Sequence, residues 1–523
     1  MKGEHRDHGR YTRRAVLKQA AAVAVTGLAL DLLGPRVLAA PAPQLNPVGN
    51  LLIVQGVDAE SLDPHVTTSG ASKGMMWAMY DKLLERGPDM KLIPWLATSW
   101  RVLNDTTWEF RLRDNVYFHN GEKFGAEHVR DTITRFKNPS LRNVYAGQLR
   151  PVRDVEIVNP LTVRIHTDGP FALLAEVLSL YNEILPKAIT SGQVDPTRQA
   201  IGTGPYKFTE WVPNQRMVMD FAERPHFSGQ PKVRRLVWRP VPEAATRLVE
   251  LKTGAAHLIT PVDPIQIPEL EATKNAEVVT FRQLSSQIVV LNSLKVRAFQ
   301  DVRVRQAMNY AIDVDSVIRS VMRGAAYRLA SAFGPGIPGY DESLRPYTYD
   351  MDRARQLLGE AGFRDGFEVT LVTPEGRYLN DRLASEAIAG MWSRVGVRTR
   401  VQVMDWSPFV QGVLGKTHDA FFFQQVGVLL DATTSINFDS ERKGAAWQGY
   451  HNEEANRLSQ DAVKTLDANR RNDMYKRLNQ ILYREAPWVF LWNQQGVYAR
   501  QKRVKGWVGH PDGIIRLGSI SLV

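Results

Sequence analysis

Few of the residues that could carry covalent chemistry stand at a productive spacing in this chain. Cysteine is absent, which excludes disulfides, thiolate metal sites and a thiol nucleophile. The eleven histidines are scattered, and the close pair His5/His8 falls in a leader segment described below. His119 ends a strand-like run and enters an Asn120-Gly121 turn, where a structural hydrogen bond is expected of it rather than metal ligation. In Gly202-Thr203-Gly204-Pro205 the glycines would permit backbone angles that a side chain forbids, and Pro205 would fix the exit. No Lys-Ser/Thr follows, so this reads as a loop and not as a phosphate cradle. A Gly-x-Ser-x-Gly elbow and a His-Glu-x-x-His helix are missing, and neighbours such as Ser72-Lys73 lack the spacing of a Ser-x-x-Lys pair. The chain is therefore expected to be no enzyme and to hold no metal and no cofactor. What is left is binding by carboxylates and large aromatic rings.

Length and charge narrow the setting. The 523 residues are too many for one small core and suggest two or three lobes. Hydrophobic (44%) and charged (23%) fractions are those of a globular chain, which argues against wholesale disorder. The net charge is +11, of which residues 1–40 carry +4, and no dense Lys/Arg run occurs. A nucleic-acid partner would need that charge gathered on one face, so none is expected.

The first 39 residues read as an export signal. Arg13-Arg14 precedes an alanine-rich apolar stretch over 20–33, and Val37-Leu38-Ala39 offers small residues for cleavage. The paired arginines resemble a twin-arginine signal. The apolar stretch is shorter than the roughly 20 residues that span a bilayer, and it contains Asp31. Residues 40–50 read as a tether. The expectation is a periplasmic protein, exported, soluble and not lipid-anchored.

Beyond the tether, strands and helices alternate, as in an α/β protein. Leu51-Leu52-Ile53-Val54 is apolar on consecutive positions, as in a strand buried on both faces. Trp108, Phe110 and Leu112 alternate on one strand, and Leu161 to His166 has the same period. Val237-Trp238-Arg239, Ile288 to Leu291 and Val397 to Val403 are further strands. Helices are predicted over 244–253 with a C-cap at Gly254, and over 302–310, 316–322, 351–361, 380–394 and 472–485. The first of these would pack Ala245, Leu248, Val249 and Leu251 inward, and Asp301 would cap the second.

Five segments, in order, resemble the extracellular solute-binding proteins of family 5, the peptide, dipeptide and nickel group that serves ABC importers. They are Leu96 to Trp100 with Trp108 to Val129, then Gly202 to Tyr206, Phe299 to Asp313, Tyr349 to Phe363, and Tyr475 to Pro487. Together they cover nearly all of 50–500. The chain departs from the family at Ala255-Ala256-His257, where an acidic residue and Asp are usual, and at Asn456, where Asp is usual.

The resemblance implies a two-lobed periplasmic-binding-protein fold, with mixed sheets flanked by helices and an extra inserted subdomain. Lobe I would hold 48–285 and 494–523, with the insert at 81–195, and lobe II would hold 286–493. It implies a monomer that captures a di- or oligopeptide or a peptide-like ligand between its lobes and delivers it to an ABC permease and ATPase complex at the inner membrane. The alternative ligands are an opine, a glutathione-like conjugate, a sugar or a metal chelate. Asp431, seven residues before Phe438, matches the family's anchor for the ligand α-amine, although Thr434-Ser435 stands where an acidic-Pro pair is common. Trp406 matches a pocket-lining tryptophan, and Trp447 and Tyr450 are further candidate ligand residues.

Overall fold

The computed structural model describes residues 49–523 apart from 68, 142, 144, 230, 332, 376, 427–448 and 519. The expected signal and most of the tether lie outside the described residues. No helix among the described residues is long and apolar enough to cross a membrane.

The fold is mixed α/β and two-lobed, and one sheet runs through both lobes. Its strand order is Val397–Met404, Phe367–Pro374, Ala420–Val426, Ala276–Leu291, Trp488–Gln501, Leu258–Thr260, Asn50–Gln55, Arg235–Pro240, Arg216–Phe221 and Tyr206–Val212, with Ala326–Arg328 added beside Trp488–Gln501. Asn50–Gln55 pairs in parallel on both sides. Leu51 and Ile53 enter one apolar cluster while Leu52 and Val54 enter another, which accounts for four consecutive apolar residues. In the second lobe Val289 and Leu291 face one core and Ile288 and Val290 the other.

The two long antiparallel strands Ala276–Leu291 and Trp488–Gln501 join the lobes. Their register holds from Ala276↔Gln501 to Arg282↔Gln495, then shifts between Arg282 and Ser286 and again between Gln287 and Ile288. On one side of the shifts Ala276, Val497 and Ala499 pack in the first lobe; on the other, Ile288 to Leu291 pack in the second. The irregularities therefore sit where the pair leaves one core for the next, which is where bulges let strands bend. A separate antiparallel sheet, in the order Ala97–Asn104, Thr107–Leu112, Thr162–Thr167, Val152–Asn159, carries helix Ala126–Phe136.

The helices are found near their expected places, with changes of detail; the one predicted over 316–322 runs Val314–Ser320, capped by Asp313. Ala244–Thr253 ends at Gly254 with φ +86°, as its C-cap requires. Val249 is exposed, however, and Arg247 is buried in its stead, donating to the carbonyls of Val241, Pro242 and Pro261. A guanidinium that satisfies three carbonyls can be buried where an apolar residue would pack no better. The last long helix starts at Ala468, four residues earlier than predicted, because Asp467 caps it by accepting from the Arg470 N–H. Asp301 caps Val302–Tyr310 as expected.

Gly202 and Gly204 act otherwise than expected. Neither has a positive φ, so backbone freedom is not their purpose. A Cβ on Gly202 would lie 2.1 Å from the Met79 carbonyl oxygen, and one on Gly204 2.5 Å from the Met79 carbonyl carbon. The turn is pressed onto the end of helix Gly70–Met79, and the glycines make room for that approach. Gly202→Ala should cost about 1–3 kcal/mol through overpacking against backbone that cannot yield. A denaturant midpoint unchanged from the parent chain would show that the helix end can move aside.

Candidate functional site

The site assembles at one edge of the second lobe's sheet. Phe367–Pro374 lies between Val397–Met404 and Ala420–Val426 and runs parallel to both. The three strands thus end at the same edge, and a crevice beyond the carboxyl ends of parallel strands is where α/β sheets receive ligands. The loop after the first of these strands carries Arg377 and Tyr378, and the second leads straight into Trp406.

Trp406 opens helix Trp406–Leu414 and is 39% exposed, unlike a tryptophan packed in a core. It stacks on Phe409 at 5.5 Å and meets Tyr378 edge-on at 6.1 Å. The Arg377 guanidinium lies over its ring, 4.9 Å from the centroid. The carboxylate of Asp381 accepts the Arg377 and Tyr378 N–H groups at 3.0 Å each, which pins the loop that presents Arg377. Burial pushes the Tyr378 phenol up to about 12, so it stays a neutral hydrogen-bonding wall at physiological pH. The guanidinium itself has no carboxylate within ion-pair distance among the described residues.

The first lobe supplies the facing wall. Tyr145 and Tyr181 stack at 4.2 Å with the Lys73 ammonium 6.0 and 5.6 Å from their rings. Tyr145 is raised by burial foremost and by Glu60, and is lowered by Arg377 of the opposite lobe, so the two walls feel each other's charges. Beneath them lies a buried polar platform. The Lys82 ammonium and the Arg516 guanidinium both lie over the Trp77 ring, 3.4 and 4.8 Å from its centroid, and its indole N–H donates to Glu183 at 2.8 Å. Glu183 is wholly buried and also pairs with Lys73 at 3.3 Å. Burial opposes its ionisation, but Lys73, His65, Lys82 and the Trp77 hydrogen bond outweigh this and hold it below the usual range. Glu85 joins Lys82 to Arg516, and Arg516 pairs in turn with buried Asp512. Long side chains are locked here by mutual pairing, so this wall is preorganised.

The residues expected from sequence divide as follows. Trp406 stands on the second-lobe wall. Tyr450 is buried within the second lobe's core, 5.6 Å from the Arg305 guanidinium, and is not on the described wall. Asp431 and Trp447 lie outside the described residues. Sequence reasoning missed Arg377, Tyr145 and Tyr181. Arg377 had one legible signal, an arginine just past the carboxyl end of a predictable strand; the tyrosines had none. His119 is structural: its Nε2–H donates to the Gly204 carbonyl at 2.9 Å and its Nδ1 accepts from the Gly202 N–H. His257, at the departure from the family pattern, is buried and accepts the Leu52 N–H on Nδ1 at 2.9 Å.

Two lobes joined by crossing strands, with an aromatic and charged cleft between them, define a solute-binding protein of the periplasmic type. The family model for bacterial extracellular solute-binding proteins, family 5, matches residues 91–446. The chain belongs to this family, and it is a solute-capturing component of an ABC importer. Curated relatives include the glutathione-binding protein GsiB of Salmonella paratyphi A, 27% identical over 483 residues, and that of Pectobacterium atrosepticum, 29% over 486; each alignment covers 88% of this chain and 92% of the relative. The fold matches the periplasmic binding protein DppA of Helicobacter pylori in complex with the peptide STSA, with TM-score 0.79, 24% identity, and coverage of 91% of this chain and 98% of that one. It also matches NikZ of Campylobacter jejuni in complex with Ni(L-His), with TM-score 0.79, 23% identity, and coverage of 91% and 100%. These relatives are binding proteins, not enzymes.

Proposed function

We propose that the chain binds a short peptide or peptide-like molecule with a free carboxylate, held between Arg377 and Trp406 on one wall and the Tyr145–Tyr181 stack on the other. Arg377 carries this reading: a guanidinium fixed over an indole, facing the opposite lobe and lacking a carboxylate of its own among the described residues. A guanidinium fork suits a carboxylate, and the flat rings give contact area with little demand on side-chain identity. Asp431 is proposed as the partner of the ligand's ammonium group; in sequence it follows Val426, the last residue of the third strand that ends at the same edge. Trp447 is proposed to border the pocket, while Tyr450, buried in the second lobe's core, is left out of it. Further elements of the proposal are lobe I at 48–285 and 494–523 with an insert at 81–195, lobe II at 286–493, a monomer, and export by a twin-arginine signal to the periplasm. The apolar clusters support the lobe boundaries, since the core partners change along 276–291.

The relatives named as glutathione-binding favour a second ligand, a γ-linked peptide bearing two carboxylates. Thermal shift with di- and tetrapeptides, their C-terminal amides, their N-acetyl forms and glutathione separates the two. A ligand at about 100 times its Kd should add roughly 2.7 kcal/mol of stability. Arg377→Gln should weaken binding by about 2–5 kcal/mol, since it leaves a buried ligand carboxylate unpaired, without changing the melt of the empty protein. Trp406→Ala should cost less. Amides that bind as well as free acids would sink the Arg377 assignment, and silence from every peptide would move the ligand class.

A further inference from the structure

On the first lobe, a cavity of about 330 Å³ opens between the 113–121 turn, the Thr203–Gly204 turn and the 222–227 loop. It shares no residue with the cleft walls described above. Its two sides exchange cations: Arg113 of the turn lies over the Phe227 ring at 4.5 Å, and Arg224 of the loop over the Tyr117 ring at 4.0 Å. The two carboxylates of the lining already have partners, Asp114 with Lys123 at 2.8 Å and Glu223 with Lys207 at 3.1 Å. Arg113 gives its Nε–H to the Trp95 carbonyl and keeps its terminal N–H groups, and neither arginine has a carboxylate partner among the described residues. The base is set. Thr203 and His226 both donate to buried Asp81, and both ring nitrogens of His119 and of His226 are engaged. With both ring nitrogens engaged, neither histidine is free to ligate a metal there. What the cavity offers is two guanidinium groups, the Lys207 ammonium held by Glu223, and the parts of the Tyr117 and Phe227 rings left open, Phe227 being backed by Trp95 and His226.

We propose that this cavity is a second ligand site, which takes a small molecule carrying a phosphate or carboxylate on a flat apolar body. Guanidinium groups held in place on aromatic rings match planar anions bidentately and lose little freedom on binding. The site is distinct from the importer cleft and does not depend on the ligand proposed for it.

Phenyl phosphate, titrated calorimetrically into the purified chain, is the probe. One site with a Kd of roughly 1 mM or below is expected, weakening with added salt. Arg224 is exposed and among the described residues makes only the ring contact, so Arg224→Gln should leave the melt unchanged while weakening phenyl phosphate about tenfold or more. Arg377→Gln and Trp406→Ala, which lie in the cleft, should leave phenyl phosphate binding as it was. Inorganic phosphate should bind more weakly, because it cannot use the rings. The proposal is overturned if phenyl phosphate does not bind, if binding survives an Arg113→Gln/Arg224→Gln double variant, if it is lost with Arg377→Gln, or if inorganic phosphate binds equally well.

Discussion

Replacing Asp81 by alanine should destabilise the folded chain by about 3–5 kcal/mol. The carboxylate is 2% exposed and accepts three hydrogen bonds, from the Trp95 indole at 2.6 Å, the Thr203 hydroxyl at 2.8 Å and His226 Nε2 at 3.1 Å. Burial alone would favour its protonated form. The charge interaction with His226 and the three donated bonds overcome that and hold the carboxyl below its usual range. Alanine would leave three donors dry and unpaired, and the cost of buried unsatisfied groups exceeds the worth of the bonds themselves. It would also free Thr203 in the turn that presses on Met79. Asp81→Asn, which keeps one acceptor oxygen, should lose clearly less. Since Asp81 is not on the cleft wall, ligand affinity per folded molecule should be unchanged in both variants. Chemical denaturation checks the first statement and calorimetry the second; an alanine variant as stable as the parent would mean that water replaces the carboxylate.

The second large effect is acid lability. His65 and His257 are buried, 1% and 4% exposed, and desolvation foremost lowers each to about 4. Each has its tautomer fixed: His65 Nδ1 faces the Arg135 guanidinium at 2.9 Å and its Nε2 the Glu183 carbonyl at 2.9 Å, and His257 Nδ1 accepts the Leu52 N–H. The unfolded chain takes up a proton on each near pH 6.5, whereas the folded chain refuses it until about pH 4. Between these values the unfolded state binds more protons, so stability falls as pH falls, by about 1.4 kcal/mol per pH unit for each histidine. From pH 6.5 to 4 this amounts to about 3 kcal/mol per histidine. Below that, Asp81, Glu183 and Asp512, all held low in the folded state, lose their contribution as they are protonated. Denaturant unfolding from pH 7.5 to 4.5 should show the decline. His257→Asn keeps an acceptor for the Leu52 N–H and cannot titrate, so its slope should be shallower by about 1.4 kcal/mol per pH unit. Parallel curves would show that His257 is protonated in the folded chain.

Much of the local structure could be read from periodicity and punctuation. Gly254 and Gly362 mark helix ends, Asp301 a helix start, and the run Leu51 to Val54 a strand with a core on either side. Asn115, in the Asp114-Asn115 pair that follows Leu112, takes φ +58° and forms a turn there. The two crossing strands were largely illegible. Only Ile288 to Leu291 stood out in a strand that extends back to Ala276, because its first half, at 277–283, has no residue counted as buried and bears charges, and because the register shift breaks the alternation. Burial of Arg247, Lys82 and Arg86 was equally hidden. Each is buried because the fold brings a carbonyl or carboxylate to it: Val241, Pro242 and Pro261 to Arg247, Glu85 to Lys82, and Glu176, ninety residues on, to Arg86.

The sequence by itself determined many of the elements, the absence of cysteine chemistry, and, through five ordered segments, the two-lobed class of the protein. These rest on local propensities and on side-chain period, which neighbouring residues carry. It also singled out Trp406. Only the tertiary structure decided which residues share the cleft, because Arg377 and Trp406 stand on one wall through parallel pairing of strands, and Tyr145 and Tyr181 face them from a different lobe more than 190 residues earlier in the chain. The paired charges under Trp77 come from residues 73–85, 183 and 512–516, and no pattern along the chain encodes a meeting of that kind.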